Sequence, residues 1–198
     1  MPAYPRVMDD EALLDRARRG DRDAFAELVE RHQDGLYTMA LRLLGRPEDA
    51  ADVVQETFLR AYVNLPRLRP ASVRAWLFRV AVNAAHDVHR RTARRPVTSL
   101  EDAEGKILDL PDPALGPEAS AEARERAAVV REALLRLPLE YRACVVLRDV
   151  NDLSYEEVAE ALRVPLGTVK SRLSRARAQV ATVLRGSTVL FPALEEGG

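Results

Sequence analysis

Four cationic side chains recur within eight residues near the end of the chain: Lys170, Arg172, Arg175 and Arg177. Small residues such as Ser171 and Ser174 separate them. On a helix with this spacing, a cation can reach phosphate oxygens, and an arginine can fork onto the O6 and N7 atoms of guanine. The chemistry that these residue types allow is therefore non-covalent recognition of nucleic acid.

The residues just before this segment predict a short helix and a tight turn. Ser154 and Glu157 have the spacing of a capping box, in which each side chain bonds a backbone N–H at the start of a helix. Val158, Ala159 and Leu162 are expected to point inward, and the turn 163–165 contains a proline. A helix, a turn and a basic second helix form the layout of a helix-turn-helix DNA-binding motif.

The basic helix separates apolar from polar residues. Its apolar residues recur at helical intervals and predict one buried stripe of Val169, Leu173, Ala176 and Val180. We expect Arg175 to reach a guanine edge and the flanking cations Lys170, Arg172 and Arg177 to reach phosphates. A surface pair of amphipathic helices with no ligand is the alternative.

Residues 73–92 have residue types that bind an unpaired base. The segment begins with aromatic residues, among them Trp76. It continues through Asn83 and ends in arginines. Aromatic rings stack on unpaired bases, and an amide can read a base edge. Asn83 is the candidate base reader, whereas Trp76 also fits a place in the core. His86 and His89 lie three residues apart, but no third ligand converges on them, so no metal site is expected.

The predicted helix from Pro47 to Leu65 places acidic residues beside apolar ones. Its expected inward stripe is Ala51, Val54, Phe58, Ala61 and Leu65. Its expected outer face combines Asp49, Asp52 and Glu56 with Val53, Leu59 and Val63. Exposed apolar residues ringed by acids are typical of a protein interface, and the excess of acids argues against DNA binding. In the alternative interpretation, Val53 and Leu59 cover a neighbouring helix.

The overall charge hides two basic segments. The 198 residues have a formal net charge of −1, but residues 163–185 hold six cations and no acid. Residues 73–95 hold another six cations and one acid. Two separated basic segments suit a polyanion that is contacted at two places.

Cysteine usage, hydropathy and motifs exclude several classes of protein. Cys144 is the only cysteine, so neither an internal disulfide nor a cysteine-rich zinc site is possible. The N-terminus lacks a signal-peptide pattern, and no apolar run approaches the ~20 residues that span a bilayer. Neither a glycine-rich phosphate loop nor a nucleophile elbow is present. We expect a cytoplasmic protein without membrane insertion, cofactor, metal or catalytic activity.

Helical periodicity extends over almost the whole chain, and no segment alternates as a strand does. Residues 1–92 predict four helices in one N-terminal domain. Residues 93–117 contain four prolines and two glycines and predict a flexible linker. Residues 118–185 predict a C-terminal domain with the helix-turn-helix, and residues 186–198 a tail. The expected fold is all-α, with two small helical domains.

Four segments together resemble the extracytoplasmic-function sigma factors, the small promoter-recognition subunits of bacterial RNA polymerase. They are residues 24–32 (AFAELVERH), 49–62 (DAADVVQETFLRAY), 75–83 (AWLFRVAVN) and 167–177 (GTVKSRLSRAR). Each segment alone is moderately specific. All four in this order, with a linker before the last, are highly specific and cover most of both predicted domains.

The resemblance implies a role for each surface. The third helix would dock on the clamp helices of the largest polymerase subunit through Asp49, Asp52, Gln55, Glu56 and Leu59. The fourth helix and the loop before it would hold the −10 promoter element as a melted strand through Asn83, Ser72, Arg74, Asp87, Arg90 and Arg91. The helix-turn-helix would read the −35 element through Thr168, Lys170, Ser171, Arg172, Ser174, Arg175 and Arg177. Some relatives have a bulkier residue in place of Ser174, and the family's usual inhibitor is an anti-sigma factor.

Two other functions compete with this one. An ordinary helix-turn-helix regulator would need only the C-terminal half, would form a homodimer and would bind a palindromic duplex. The N-terminal half does not resemble a ligand-sensing domain, and its acidic-apolar helix needs a protein partner. No residue pattern supports a function as an enzyme, because positions on helix surfaces and at helix caps explain the acidic residues.

Overall fold

The computed structural model describes residues 9–69, 72–94 and 120–187, and every regular element within these ranges is helical. The α-helices are α1 Asp10–Arg18, α2 Arg22–Leu44, α3 Pro47–Asn64, α4 Val73–Arg94, α5 Ala121–Leu135, α6 Leu139–Val145, α7 Tyr155–Leu162 and α8 Leu166–Arg185. A short 3-10 turn, Leu65–Arg67, follows α3. The all-α prediction is confirmed.

Local signals in the sequence fix the first helix boundaries. The Asp9 carboxylate accepts a hydrogen bond of 2.7 Å from the Ala12 backbone N–H and so caps α1. Asp21 caps α2 in the same way. The hydrogen bond from the Ala24 backbone N–H, and after it the one from the Arg16 side chain, lowers the pKa of Asp21. Helix α2 ends at Gly45, whose φ of +75° is a left-handed conformation that glycine adopts without strain.

The C-terminal helices begin and end at similar signals. The predicted capping box of α7 is present, with the Ser154 N–H donating to Glu157 Oε2 at 2.7 Å. Helix α6 is short, because its α-helical bonding stops at Val145 and a wider π-helical turn continues to Val150. The Asn151 N–H closes that turn by donating to the Val146 carbonyl at 3.1 Å.

The buried stripe of α8 is confirmed for Val169, Leu173 and Ala176, each at most 1% exposed, whereas Val180 is only partly buried. In α3 the predicted stripe is partly wrong: Val53 is 1% exposed, whereas Ala51 is exposed. Helix α3 contacts both α2 and α4, so its buried face is rotated relative to the apolar stripe. Thr57 lies on that face, and its hydroxyl donates to the Val53 carbonyl at 2.7 Å.

The two groups of helices, α1–α4 and α5–α8, pack directly against each other. Leu135 of α5 lies against Gly45 at the end of α2, where an added Cβ would come within 3.0 Å of a Leu135 methyl carbon. Helix α7 contacts α4, and both groups contribute to one cluster of buried apolar side chains. Helix α4 includes residues 93 and 94; the rest of the linker predicted at 93–117 lies outside the described residues, as does the tail beyond residue 187.

Candidate nucleic-acid and protein interfaces

Helix α8 presents most of its predicted DNA-contacting residues on one accessible face. Lys170, Ser171, Ser174 and Arg175 are exposed, and Thr168 is half-buried. The Ser171 hydroxyl donates to the Thr168 carbonyl at 3.0 Å. Arg175 forms no hydrogen bond or ion pair with any residue of the described ranges, so its guanidinium is available to an external ligand.

Two of the predicted phosphate-contacting cations have partners within the domain. Arg177 forms a two-point ion pair with Asp149, and this hydrogen bonding raises the pKa of Arg177. Arg172 is half-buried beside the thiol of Cys144. Burial raises the pKa of Cys144 to about 11, and Arg172 opposes the rise. Arg172 and Arg177 therefore differ in environment from the exposed Lys170 and Arg175, although the four cations are evenly spread over one short segment of the sequence.

A cation-π cluster beside α8 was not predicted from the sequence. The Tyr155 ring centroid lies 5.1 Å from the Arg148 guanidinium carbon and 6.0 Å from Lys170 Nζ. The cluster fixes an aromatic ring and two cations next to the exposed face of α8. Tyr155 follows the capping serine directly, but only the fold brings Arg148 to it.

The residues predicted to hold a melted strand all lie on α4 or at its start. Ser72 accepts a hydrogen bond of 3.2 Å from the Ala75 N–H, and so it caps α4. Asn83 is half-buried, and its amide donates to the Arg79 carbonyl at 2.8 Å. Asp87 and Arg90 form an ion pair on the following turn. The helix thus supplies a polar surface whose members are already oriented by local bonds.

Arg74 has contacts in both groups of helices. Its guanidinium carbon lies 5.3 Å from the Phe78 ring centroid, and it also donates to the Asn151 carbonyl. Sequence reasoning missed three neighbouring arginines, Arg67, Arg69 and Arg79, which line one cleft together with Trp76 and Ser72. The sequence signal that could have identified this cleft was the position of Arg67 and Arg69 on either side of Leu68. Trp76 is partly buried against the core and also lines this cleft.

Four of the five predicted polymerase-binding residues line one side of a groove of about 360 Å³ between α3 and α4. Asp52, Gln55, Glu56 and Leu59 line it on α3, and Asp87 and Arg91 line it on α4. Leu59 is 53% exposed, and Glu56 pairs with Arg60 at 2.6 Å. Asp49 lies at the start of the helix, 3.7 Å from Arg46. The face is therefore both acidic and apolar, as predicted, although Val53 belongs to the core.

The described ranges contain neither a cluster of metal-binding side chains nor a membrane-spanning helix. No group of three or more His, Cys, Asp or Glu side chains there is arranged to hold a metal ion. Among the same residues, no helix combines the length and the apolar character that crossing a bilayer requires.

Comparisons with known families match both halves of the chain. The profile of the family "Sigma-70 region 2" matches residues 28–95, which include α3 and α4. The profile "Sigma-70, region 4" matches residues 127–180, which include α7 and most of α8. The two matches fall on the segments that carry the surfaces described above.

Relatives extend the likeness over nearly the whole chain. The ECF RNA polymerase sigma factor SigW of Bacillus subtilis is 34% identical over 177 residues, covering 87% of this chain and 95% of that protein. The ECF RNA polymerase sigma-E factor of Haemophilus influenzae is 36% identical over 181 residues, covering 87% and 94%. CnrH, solved in complex with the cytosolic domain of CnrY, superposes with a TM-score of 0.64 at 30% identity, covering 89% of this chain and 97% of CnrH. The chain belongs to the extracytoplasmic-function sigma factors, which are transcription initiation factors of bacterial RNA polymerase.

Proposed function

We propose that three surfaces of this sigma factor divide the work of initiation between them. Residues 1–92 dock on core polymerase and hold the −10 element, residues 93–117 link the domains, and residues 118–185 read the −35 element. The single observation that carries this assignment is the exposed face of α8, with Arg175 unpaired among the described residues and small side chains beside it.

The acidic-apolar face of α3 is the docking surface for the clamp helices of the largest polymerase subunit. Its support is the exposure of Asp52, Gln55 and Leu59 along the groove, where no packing within the domain requires them. Leu59 provides apolar contact area, and Glu56 and Asp52 provide charges for complementary cations of the partner. Asp49 lies at the edge of this face.

Helix α4 receives the −10 element after the strands separate. A flipped base costs a few kcal/mol of stacking and pairing, which its binding site must offset. Asn83 can do so with its amide, because a base edge can replace the Arg79 carbonyl as its hydrogen-bond acceptor. Arg74, Arg90 and Arg91 are exposed cations on the same helix that suit the strand's phosphates. Ser72 and Asp87 orient the start and the middle of this surface.

Helix α8 enters the major groove of the −35 element. Arg175 reads a guanine, and Lys170 contacts the phosphate backbone with support from Ser171, Ser174 and Thr168. The remaining two arginines position the helix and add positive charge, but they do not read bases. Arg172 lies beside Cys144, and Arg177 pairs with Asp149.

The assignment requires no chemistry from this chain, because core polymerase forms the phosphodiester bonds. The chain is therefore not an enzyme and needs no cofactor. It acts in the cytoplasm, where core polymerase and promoter DNA are found. An anti-sigma factor that covers the α3 or α4 surface controls it.

Permanganate footprinting of a reconstituted holoenzyme tests this division of labour. Unpaired thymines become reactive in the open complex, and protection of the −35 region reports duplex binding separately. Asn83→Ala should reduce thymine reactivity while protection of the −35 region stays near that of the wild-type chain. Equal losses in both signals would remove the base-reading role from Asn83.

A further inference from the structure

Exposed apolar side chains are concentrated at the end of α3. Four large apolar residues are exposed in the described part of the chain, and three of them, Leu59, Tyr62 and Val63, lie within five residues of α3. Val63 is 76% exposed, the largest value of the four. Single apolar residues are normal on a protein surface, whereas a contiguous patch marks an interaction site. These three residues form the apolar end of α3.

A groove of about 500 Å³ lies beside the apolar end, between α3 and the turn that joins α1 to α2. Tyr62 and Val63 line it together with Pro66 of the 3-10 turn and Phe25 of α2. The rings of Phe25 and Tyr62 meet edge to face, with 5.3 Å between their centroids. This favourable aromatic contact holds the Tyr62 ring in place, so the groove is formed before any partner binds.

The rim of this groove is cationic. Arg22 lines it at the start of α2, is exposed, and forms no hydrogen bond or ion pair with any residue of the described ranges. Arg18 lines it from α1, where a surface carboxylate of the same helix pairs with it. The single carboxylate among the lining residues, that of Asp21, already accepts hydrogen bonds from the Ala24 backbone N–H and the Arg16 side chain. The groove therefore offers a positive charge to a ligand.

The apolar end continues the acidic half of the proposed docking face. Asp52, Glu56, Leu59 and Val63 recur at intervals of three and four residues, so they lie along one side of α3. The eleven residue steps from Asp52 to Val63 correspond to about 16 Å of helix. Along this line the surface changes from acidic to apolar and then, at Arg22 in the neighbouring groove, to cationic.

The chemistry of the apolar end favours a protein segment over nucleic acid. Leu59 and Val63 are aliphatic and offer no ring on which a base could stack. Large apolar anchors beside a polar rim are instead the arrangement found at the centre of protein interfaces. A guanidinium without a partner, such as that of Arg22, binds a carboxylate through charge-assisted hydrogen bonds. The matching segment therefore carries large apolar side chains next to a carboxylate.

We propose that the apolar end of α3 and the arginine rim form a second docking site, which binds an acidic, apolar segment of core polymerase. The inference rests on the proposed docking of α3 on core polymerase and adds a contact with the opposite charge requirement. Asp52 and Glu56 select cations of the partner, whereas Arg22 selects an anion at the other end of the same face. These two requirements fix the direction of the partner along α3, since a reversed segment would place like charges together.

A matched pair of variants measures the apolar contribution of this site. Val63→Asn places a polar side chain in the apolar end, and Val130→Asn makes the same change at the fourth exposed apolar residue, on α5. Val63→Asn should weaken binding of the purified chain to core polymerase by about fivefold or more, the loss typical of an interface anchor. Val130→Asn should bind as the wild-type chain does. Equal affinities of the two variants would overturn the proposal.

The charge requirement is tested at Arg22. Arg22→Glu should weaken binding to core polymerase, whereas Arg22→Lys should retain most of it because lysine keeps the charge. A glutamate in the first turn of a helix is favourable, so the loss in Arg22→Glu would not arise from unfolding of α2. Arg126→Glu makes the same change of charge at an exposed position on α5 and should bind normally. Tighter or unchanged binding by Arg22→Glu would exclude an acidic occupant.

Photocross-linking in the holoenzyme identifies the occupant. The chain with Val63→p-benzoylphenylalanine is mixed with purified core polymerase and irradiated, and the cross-linked peptide is sequenced by mass spectrometry. The proposal predicts a peptide of a core subunit that has apolar side chains and more acidic than basic residues. A basic peptide, or a cross-link to another part of the chain, to a second copy or to promoter DNA, would contradict it.

The same reagent at Gln55 separates this inference from the proposed function. Gln55 belongs to the part of α3 that lines the groove with α4. If the Gln55 variant cross-links to core polymerase and the Val63 variant does not, the docking assignment stands and only the second site fails. If neither variant cross-links to core polymerase, the docking assignment fails and the inference fails with it.

Discussion

Asp149 and Arg177 form a two-point ion pair, with the Nε and Nη2 atoms of Arg177 2.9 and 2.5 Å from the two carboxylate oxygens of Asp149. The pair joins the π-helical turn after α6 to helix α8. Arg175, two residues earlier on α8, has no such partner within the described ranges. Two arginines of one basic segment therefore have different surroundings: Arg177 is held by a carboxylate of its own domain, and Arg175 is exposed.

Replacing Arg175 with alanine should relax specificity at one base pair of the −35 element. The loss should be ~1–3 kcal/mol on the preferred duplex and near zero on a duplex altered at that pair, since a bidentate guanine contact is removed. Titration of purified chain against the two duplexes measures it. Arg177→Ala is the comparison variant and should weaken both duplexes alike. A uniform loss for Arg175→Ala would reassign this arginine to phosphate contact.

Reversing charges on the α3 face should abolish binding to core polymerase without unfolding the chain. The double variant Asp52→Arg with Glu56→Arg replaces two acids of the groove by cations, so it turns complementary charges into repulsive ones. Co-sedimentation with core polymerase measures the loss. Glu11→Arg with Glu30→Arg makes the same charge change at exposed positions on α1 and α2 and should bind normally. Normal binding by the α3 variant would refute the docking assignment.

Arg142 should contribute strongly to stability, because its buried guanidinium donates to the carbonyls of Leu43, Leu135 and Leu137. Desolvation lowers the pKa of Arg142 to about 10, so the side chain is still charged at neutral pH. Arg142→Met leaves buried carbonyls unpaired, at roughly 1–3 kcal/mol for each unsatisfied group. We therefore expect a clear fall in the free energy of unfolding, measured with urea.

The exposed Arg136 provides the control for Arg142. Its guanidinium pairs with Glu132 on the surface. Arg136→Met should change the free energy of unfolding by no more than about 0.5 kcal/mol, the range for surface substitutions. Equal unfolding midpoints for the two variants would show that the carbonyl contacts of Arg142 add nothing to stability.

His86 should make the fold less stable in mild acid. Burial lowers the pKa of His86; Glu140 and Asp87 oppose this shift, while His89 and Arg90 add to it. The unfolded chain therefore takes up the proton first as the pH falls through ~6.5, the ordinary histidine pKa, and stability decreases below that pH. Above it, both states are neutral at this residue and the contribution is absent.

The measurement for His86 is thermal unfolding at pH 7.5 and at pH 5.5. His86→Gln should lose less stability between the two pH values than the wild-type chain does, because the difference in proton uptake at this residue is removed. His89→Gln, at an exposed position, should follow the wild-type chain. If His86→Gln loses as much stability between the two pH values as the wild-type chain does, the pH dependence arises from another residue.

Local features of the fold could be predicted from the sequence because their causes are local. Asp21 at the start of α2, Gly45 at its end and the Ser154–Glu157 capping box each act within a few residues of their own element. The apolar stripe of α8 followed from spacing alone, because that helix buries one face. The exposed polar face of α8 followed from the same pattern.

Features that depend on distant residues could not be predicted. The α3 stripe was misplaced because this helix packs against two neighbours, and Thr57 takes a buried position by bonding its hydroxyl to the Val53 carbonyl. No sequence pattern links Arg142 to Leu43, which is 99 positions away. The contact of Arg79 with Glu160 likewise joins two domains that the sequence predicts only as separate units.

Transcription in vitro with purified core polymerase tests the central claim most directly. Core polymerase and the chain are mixed with a library of genomic fragments, and the 5′ ends of the transcripts are mapped. The account predicts a discrete set of start sites that require the chain and share two upstream elements at a fixed spacing. Transcription that is unchanged by adding the chain, or start sites without shared elements, would contradict it.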